Sequence, residues 1–115
     1  MKTIEVVAAV IFREGKVLCV QRAEHEKEYV SSKWEFPGGK VEIGESREEA
    51  LMREIAEELV VAIHELQYLT TVGHSYQDFH LTMHAYTCAL KAGDVTLKEH
   101  IAAQWLAAEE MIRAH

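Results

Sequence analysis

Residues 39–61 read Gly-Lys-Val-Glu-Ile-Gly-Glu-Ser-Arg-Glu-Glu-Ala-Leu-Met-Arg-Glu-Ile-Ala-Glu-Glu-Leu-Val-Val, and this stretch decides how the chain is organised. Ser46-Arg47-Glu48-Glu49 has the form of a capping box, with Ser46 as N-cap and Glu49 reaching back from the third helical position. The spacing predicts a helix to about Leu59, with Leu51, Ile55 and Leu59 as its apolar stripe. On the same helix Glu54, Glu57 and Glu58 stand at i, i+3 and i+4, within an arc of about 100°. No Lys or Arg lies four residues after any of the three. An ordinary solvated face intersperses its charges, because like-charged pairs at this spacing cost a few tenths of a kcal/mol each. A plain surface patch is one reading of the triplet. A Mg²⁺ or Mn²⁺ site accounts for it better, since hard cations take several oxygen ligands and leave room for water and phosphate.

Upstream of the helix, Trp34-Glu35-Phe36 reads as a short extended piece stopped by Pro37-Gly38-Gly39. The loop that follows contains Gly44 and Glu45, so backbone carbonyls and amides can approach the helix end, whose free N–H groups suit a phosphate. Residues 3–12 are β-branched and almost continuously apolar, as expected of a strand buried on both faces. Residues 13–16 carry a turn signal, 17–21 read as the returning hairpin strand, and 22–33 as a polar loop. Downstream, 66–76 and 79–90 read as two strands around Gln77-Asp78, and 102–106 as a last short strand. A further helix is expected to begin at Ala107. Strands on either side of a central helix imply a mixed sheet with helices packed on it.

The whole chain has 115 residues, which makes residues 1–115 a single domain. It is 49% hydrophobic with one proline, which excludes disorder. The apolar run from Val6 to Phe12 is too short to span a bilayer and lacks the flanks of a signal peptide. Cys19 and Cys88 match no metal or redox spacing and lie in apolar runs, so buried reduced thiols and a cytoplasmic location are expected. The net charge of -7 argues against nucleic acid as a partner. Its distribution favours a different anion. Residues 39–61 hold seven acidic and three basic residues, a patch able to hold divalent cations that in turn present positive charge to a polyphosphate.

The pattern of Gly39, five residues, Glu45, seven residues and then Arg53-Glu54-Ile55-Ala56-Glu57-Glu58 resembles the Nudix box of the Nudix hydrolases. Trp34-Glu35-Phe36-Pro37-Gly38-Gly39-Lys40-Val41-Glu42 is similar to the entry to the box in the MutT-like branch, and the likeness covers nearly the whole chain. It implies an α+β fold, an α/β/α sandwich in which a mixed β-sheet carries the loop-helix-loop of the box. Carried over by position, Glu54, Glu57 and Glu58 would bind the metal, Mg²⁺ or Mn²⁺, with the Gly38 carbonyl completing the site. Arg53 would pair with Glu45 and hold the loop to the helix, and Glu99 would orient or deprotonate the attacking water. Arg22 would contact the nucleotide, and Phe36 would line the nucleoside pocket together with Phe79. Trp34 reads as core or as a base-stacking platform, and Trp105 as core.

The implied reaction is hydrolysis of a nucleoside triphosphate to a monophosphate and pyrophosphate. Oxidised purines such as 8-oxo-dGTP, a nucleotide-pool sanitising role that serves DNA repair, are preferred over CTP or modified dCTP. Other diphosphates, such as sugar nucleotides, usually need extra segments, and non-catalytic binding modules of the fold usually lose box carboxylates that this chain keeps. The partner is a small nucleotide, with no membrane involved and with monomer and dimer both open. Two departures stand out. Val60 occupies a position where the box usually has glycine, so the helix end should be built differently or extended. The chain also stops at His115, where MutT-like proteins continue into a further helix, so it reads as truncated or as recognising its base in another way. His80 and His84 would share a strand face about 13 Å apart, too far to chelate one zinc ion.

Overall fold

The computed structural model describes residues 2–22, 34–91, 93–98 and 100–107, without the side chains of Arg22, His100 and Ile101. Strand β1 (Lys2–Arg13) turns at Glu14 and Gly15, both at positive φ, into β2 (Lys16–Arg22). Two consecutive positive φ values are what a two-residue hairpin turn needs to match strand twist. β1 and β2 stay paired only at Phe12↔Val17 and Arg13↔Lys16. β2 then leaves to pair with β7 (His100–Ala107) and with β3 (Trp34–Glu35). Its departure exposes an edge of β1, and β4 (Gly38–Lys40) fills that edge, placing Lys40 opposite Val6 and Gly38 opposite Ala8.

This corrects the reading of Pro37-Gly38-Gly39 as a stop followed by loop. Glycine breaks strands on average because it packs nothing, but here the absence of a side chain is what the pairing needs. A Cβ on Gly38 would run into the Val7 carbonyl and the Ala8 Cα. The pairing is extended on both sides, by Ala9 N–H donating to the Pro37 carbonyl at 2.8 Å and Val41 N–H donating to the Glu5 carbonyl at 3.1 Å.

On its other edge β1 runs parallel to β6 (Phe79–Leu90), which pairs antiparallel with β5 (Ile63–Ser75). The order β3-β2-β1-β6-β5, with β4 on β1 and β7 on β2, makes one mixed seven-stranded sheet. β5 begins at Ile63 rather than Leu66, because Glu65 takes a positive φ within a register shift and the strand continues through it. β7 takes in Ala107, so the expected helix does not begin there, and residues 108–115 lie outside the described residues.

The single helix among the described residues, α1 (Arg47–Leu59), lies on one face of this sheet. Leu51, Ile55 and Leu59 are fully buried, together with Ala50, against Val7, Ala9 and Ile11 of β1, Leu18 and Val20 of β2, and Tyr86 and Cys88 of β6. Each of the three large side chains contributes roughly 1.5–3 kcal/mol of transfer free energy. Alternate residues of β1, Ala8 and Val10, are buried on the opposite face, so the strand is covered on both sides as its apolar run implies. Cys19 and Cys88 are both buried thiols, and burial pushes the Cys88 thiol up to about 12 and the Cys19 thiol in the same direction. No helix among the described residues is long and apolar enough to cross a membrane.

Candidate active site

The helix start is fastened as its sequence requires. Glu49 N–H donates to Ser46 Oγ at 3.1 Å and Ser46 N–H donates to Glu49 Oε1 at 2.8 Å, which closes the capping box. With the first turn fixed, Arg53 points back at the loop that leads into the helix. Its Nε and Nη2 donate to the two oxygens of Glu45 at 2.6 and 2.9 Å, a bidentate fork. Nη2 also donates to the Lys40 carbonyl at 3.1 Å, tying β4 to the helix, and Nη1 donates to Glu54 Oε1 at 2.8 Å. Hydrogen bonds from Arg53 and then from the Glu42 N–H hold the Glu45 carboxyl down at about 2. Hydrogen bonds to Glu45 and then to Glu54 keep the guanidinium more firmly protonated than usual.

Glu54 lies against Gly39, where a Cβ would collide with its carboxylate. The two glycines therefore serve separate ends: Gly38 lets β4 reach β1, and Gly39 lets a carboxylate reach β4. Glu57 points outward, 60% exposed, with Oε2 3.4 Å from Arg53 Nη1. Glu58 is buried. The three side chains share one arc of the helix, as the spacing requires, but the arc runs from core to solvent. Among the described residues no three His, Cys, Asp or Glu side chains converge on a point that a metal could occupy. Arg53 draws Glu54 and Glu57 to itself instead. This cation precedes Glu57 by four residues, the side on which a search for charges following the acids does not look. The donor set of carboxylates beside a glycine backbone is all oxygen, which fits a hard divalent cation such as Mg²⁺ or Mn²⁺.

The nucleotide-facing residues are brought together only in part. Trp34 stands opposite Gln21, next to Arg22 at the end of β2, and at 42% exposed it is not a core residue. Phe36 is half-buried beside Pro37, on the path from β3 to β4. Phe79 is not brought to this group. It stands opposite Lys2, whereas Pro37 bonds to Ala9, which places the two phenylalanines on the order of 25 Å apart along β1 at about 3.3 Å per residue. Phe79 packs instead on the Tyr76 ring, 4.9 Å between centroids. Trp105 packs against the core with the Arg13 guanidinium over its ring. His84 binds Glu5 and Thr71 through its two ring nitrogens, and His80 binds Ser75. Glu99 and the side chain of Arg22 lie outside the described residues.

Sequence reasoning missed how the helix ends. α1 stops at Leu59, and Val60 itself adopts the left-handed conformation, φ 55 and ψ 42, that a glycine would supply. The expected extension or rebuilding of this end does not occur. The left-handed region costs a non-glycine residue roughly 1–2 kcal/mol, and neighbours impose it. Leu59, Val61 and Ile63 are buried around it, and Thr96 N–H donates to the Leu59 carbonyl at 2.8 Å. Lys98 N–H donates to the Glu58 carbonyl at 3.1 Å. The only signal in the sequence was the absence of a basic residue or glycine where the last turn needs donors.

The family model for the NUDIX domain matches residues 2–115. A CTP pyrophosphohydrolase of Escherichia coli strain K12 is 37% identical over 113 residues, covering 98% of this chain and 82% of that protein. An 8-oxo-dGTP diphosphatase of Proteus vulgaris is 33% identical over 99 residues, covering 85% and 87%. The crystal structure of a MutT Nudix hydrolase from Burkholderia pseudomallei superposes with a TM-score of 0.84 at 29% identity, covering 95% of this chain and 86% of that one. With the box geometry in place and the match running almost end to end, the chain belongs to the Nudix family.

Proposed function

We propose that the chain is a pyrophosphohydrolase of the MutT type that converts a nucleoside triphosphate to a monophosphate and pyrophosphate with Mg²⁺ or Mn²⁺. The observation that carries this reading is the Arg53 clamp, which ties Glu45, Lys40 and Glu54 into one rigid unit. Glu54, Glu57, Glu58 and the Gly38 carbonyl are the groups that would hold the cation. When bound, it supplies charge neutralisation at the phosphate oxygens and a more acidic water. Glu99 takes a proton from the attacking water. The water oxygen adds to the β phosphorus, the bond from that phosphorus to the oxygen bridging α and β breaks, and the monophosphate leaves with the bridging oxygen. Arg22, Trp34 and Phe36, gathered where β2 meets β3, hold the nucleoside and the phosphate chain. This is positioning and electrostatics, which phosphoryl transfer chiefly requires.

For the base, oxidised purine triphosphates such as 8-oxo-dGTP are the first reading, supported by the likeness to the Proteus relative. The pyrimidine reading, CTP or modified dCTP, has the 37% identity to the E. coli CTP pyrophosphohydrolase in its favour. A pyrophosphate-release screen across nucleotides with Mg²⁺, run beside Glu57→Gln, tests both levels. Equal rates for wild type and a folded Glu57→Gln enzyme would end the metal-site reading. A preference for CTP above about tenfold in kcat/KM, roughly 1.4 kcal/mol, replaces the purine reading with the pyrimidine one.

A further inference from the structure

His84 is buried, at 3% exposure, and takes no part in the site described above. Its place in the sheet explains its partners. β4, β1, β6 and β5 contribute Gly39, Val7, His84 and Thr71 to one row of paired residues. Paired residues face the same side of a sheet, so Thr71 meets His84 directly, and Glu5, two residues before Val7, meets it diagonally. Thr71 Oγ1 stands 2.9 Å from His84 Nδ1, and His84 Nε2 stands 2.8 Å from Glu5 Oε2. Tyr68 precedes Thr71 by three residues, and in a regular strand it would face the other way. The register shift between Tyr68 and Thr70 puts one extra residue into β5 and turns Tyr68 to the same face. Its hydroxyl then lies 2.6 Å from Thr71 Oγ1, and its ring meets that of Tyr86 edge-on at 5.8 Å.

These bonds run in one consistent direction. A carboxylate only accepts, so His84 Nε2 carries the proton and Nδ1 offers a lone pair. Thr71 therefore donates to Nδ1, and its oxygen accepts from Tyr68. A hydroxyl bonded to an imidazole that a carboxylate orients from the other side is the arrangement that activates a nucleophile. Thr71 and Tyr68 are exposed, so the hydroxyl is open to a ligand while the ring behind it is shielded from water.

We propose that Thr71 and His84, oriented by Glu5, form a second catalytic site that hydrolyses small carboxylic esters. Thr71 Oγ1 adds to the acyl carbon while its proton passes to His84 Nδ1. The bond from that carbon to the leaving oxygen breaks, and the leaving oxygen takes the proton from Nδ1. Water then adds to the acyl carbon on Thr71 and gives a proton to Nδ1, which returns it to Thr71 Oγ1 as the carboxylic acid departs. Glu5 stays charged throughout and stabilises the imidazolium. Once Thr71 Oγ1 is bonded to carbon, the Tyr68 hydroxyl is released to bond the oxygen anion of the tetrahedral intermediate. Among the described residues β5 pairs only with β6, so the N–H groups on its outer edge are further donors beside Thr71. Three strand spacings of about 4.8 Å put Thr71 roughly 14 Å from Gly39, so no step draws on the carboxylates of the box.

The probe is 4-nitrophenyl acetate, added to the full chain with EDTA to keep divalent cations out. Wild type is expected to release nitrophenolate about 100-fold or more faster than His84→Gln, the usual worth of a general base. Thr71→Ser keeps the reaction and Thr71→Val loses it, while Thr71→Val retains wild-type pyrophosphate release from nucleotides with Mg²⁺. Acid quenching early in the reaction, followed by peptide mass mapping, places the acetyl group on Thr71. Equal rates for wild type and a folded Thr71→Val protein overturn the proposal, and so does an acetyl group carried by Tyr68 or by lysines in place of Thr71. If the variants do not fold, the mapping on wild type decides. Acetyl on Thr71 ahead of every lysine supports the site, and acetyl spread over the lysines with none on Thr71 overturns it.

Discussion

The two ends of α1 are built on opposite terms. At the start, every local rule is met: Ser46 caps, Glu49 completes the box, Glu48 and Glu49 sit where the dipole favours acids, and Arg53 collects the carboxylates around it. At the finish, each rule is broken: two acids lie in the last turn, no cation follows, and a β-branched residue takes the left-handed conformation. The start is held by residues within thirteen positions of one another, from Lys40 to Arg53. The finish is held by Thr96 and Lys98, far along the chain. The lesson is that the helix's charge pattern suits a site rather than a helix, and that the fold offsets the cost non-locally. On the proposed function the carboxylates at the unfavourable end are the ones that would hold the cation, and the Thr96 and Lys98 N–H groups satisfy the backbone carbonyls beside them.

Breaking the well-ordered end should have the larger effect. Arg53→Ala removes the group that joins Glu45, Lys40 and Glu54, and interactions that orient ligand carboxylates typically cost about 10- to 100-fold in activity when lost. We expect kcat/KM to fall in that range, with a weaker Mn²⁺ affinity measurable in parallel. Lysine at this position should not restore it, since one ammonium cannot replace a planar fork. The Glu45 carboxyl offers a gentler way to open the same clamp. Its folded value of about 2 lies below its ordinary 4.5, so its contribution is complete above pH 4.5 and is lost as pH falls through about 2. The difference in Tm between wild type and Glu45→Gln should be largest near neutrality and shrink across that window. A difference that does not change between pH 5 and about 2 would show that the carboxylate is not what Arg53 holds.

The contrast between the ends also explains what was legible in the sequence. The capping box, the helix start and the Leu51, Ile55, Leu59 stripe rest on spacings within a few residues, and they stand as read. The pairing of Arg53 with Glu45 came from the resemblance to the box, and the structure contains it. Non-local pairing was hidden. Gly38 and Gly39 look like breakers until β2 has left β1 and an edge needs a backbone without side chains. Phe79 and Phe36 look like partners until the parallel register of β1 and β6 puts them at opposite ends of a strand, and register is not a local property. Trp34 reads as core or as a stacking platform by residue type, and a two-residue edge strand leaves it too exposed for the first.

Two smaller changes compare the ends directly through stability. Ser46→Ala removes a cap whose acceptor and box partner are both engaged, and should destabilise the protein by about 1 kcal/mol, a few degrees in Tm. Val60→Gly should act in the opposite direction and by less. Val60 is exposed, so its side chain contributes little burial, and glycine takes φ 55 without the steric cost of a Cβ. Against this relief of roughly 1–2 kcal/mol stands the greater freedom glycine gives the unfolded chain, about 0.5–1 kcal/mol. The balance is a gain of about 0–1.5 kcal/mol, centred below about 1, seen as a higher denaturation midpoint with an unchanged slope. A loss would mean that Val60 is held by contacts of its own. In that case the bend would be a packed element of the helix end, and the amides of residues 96 and 98 would be consequences of it rather than its cause.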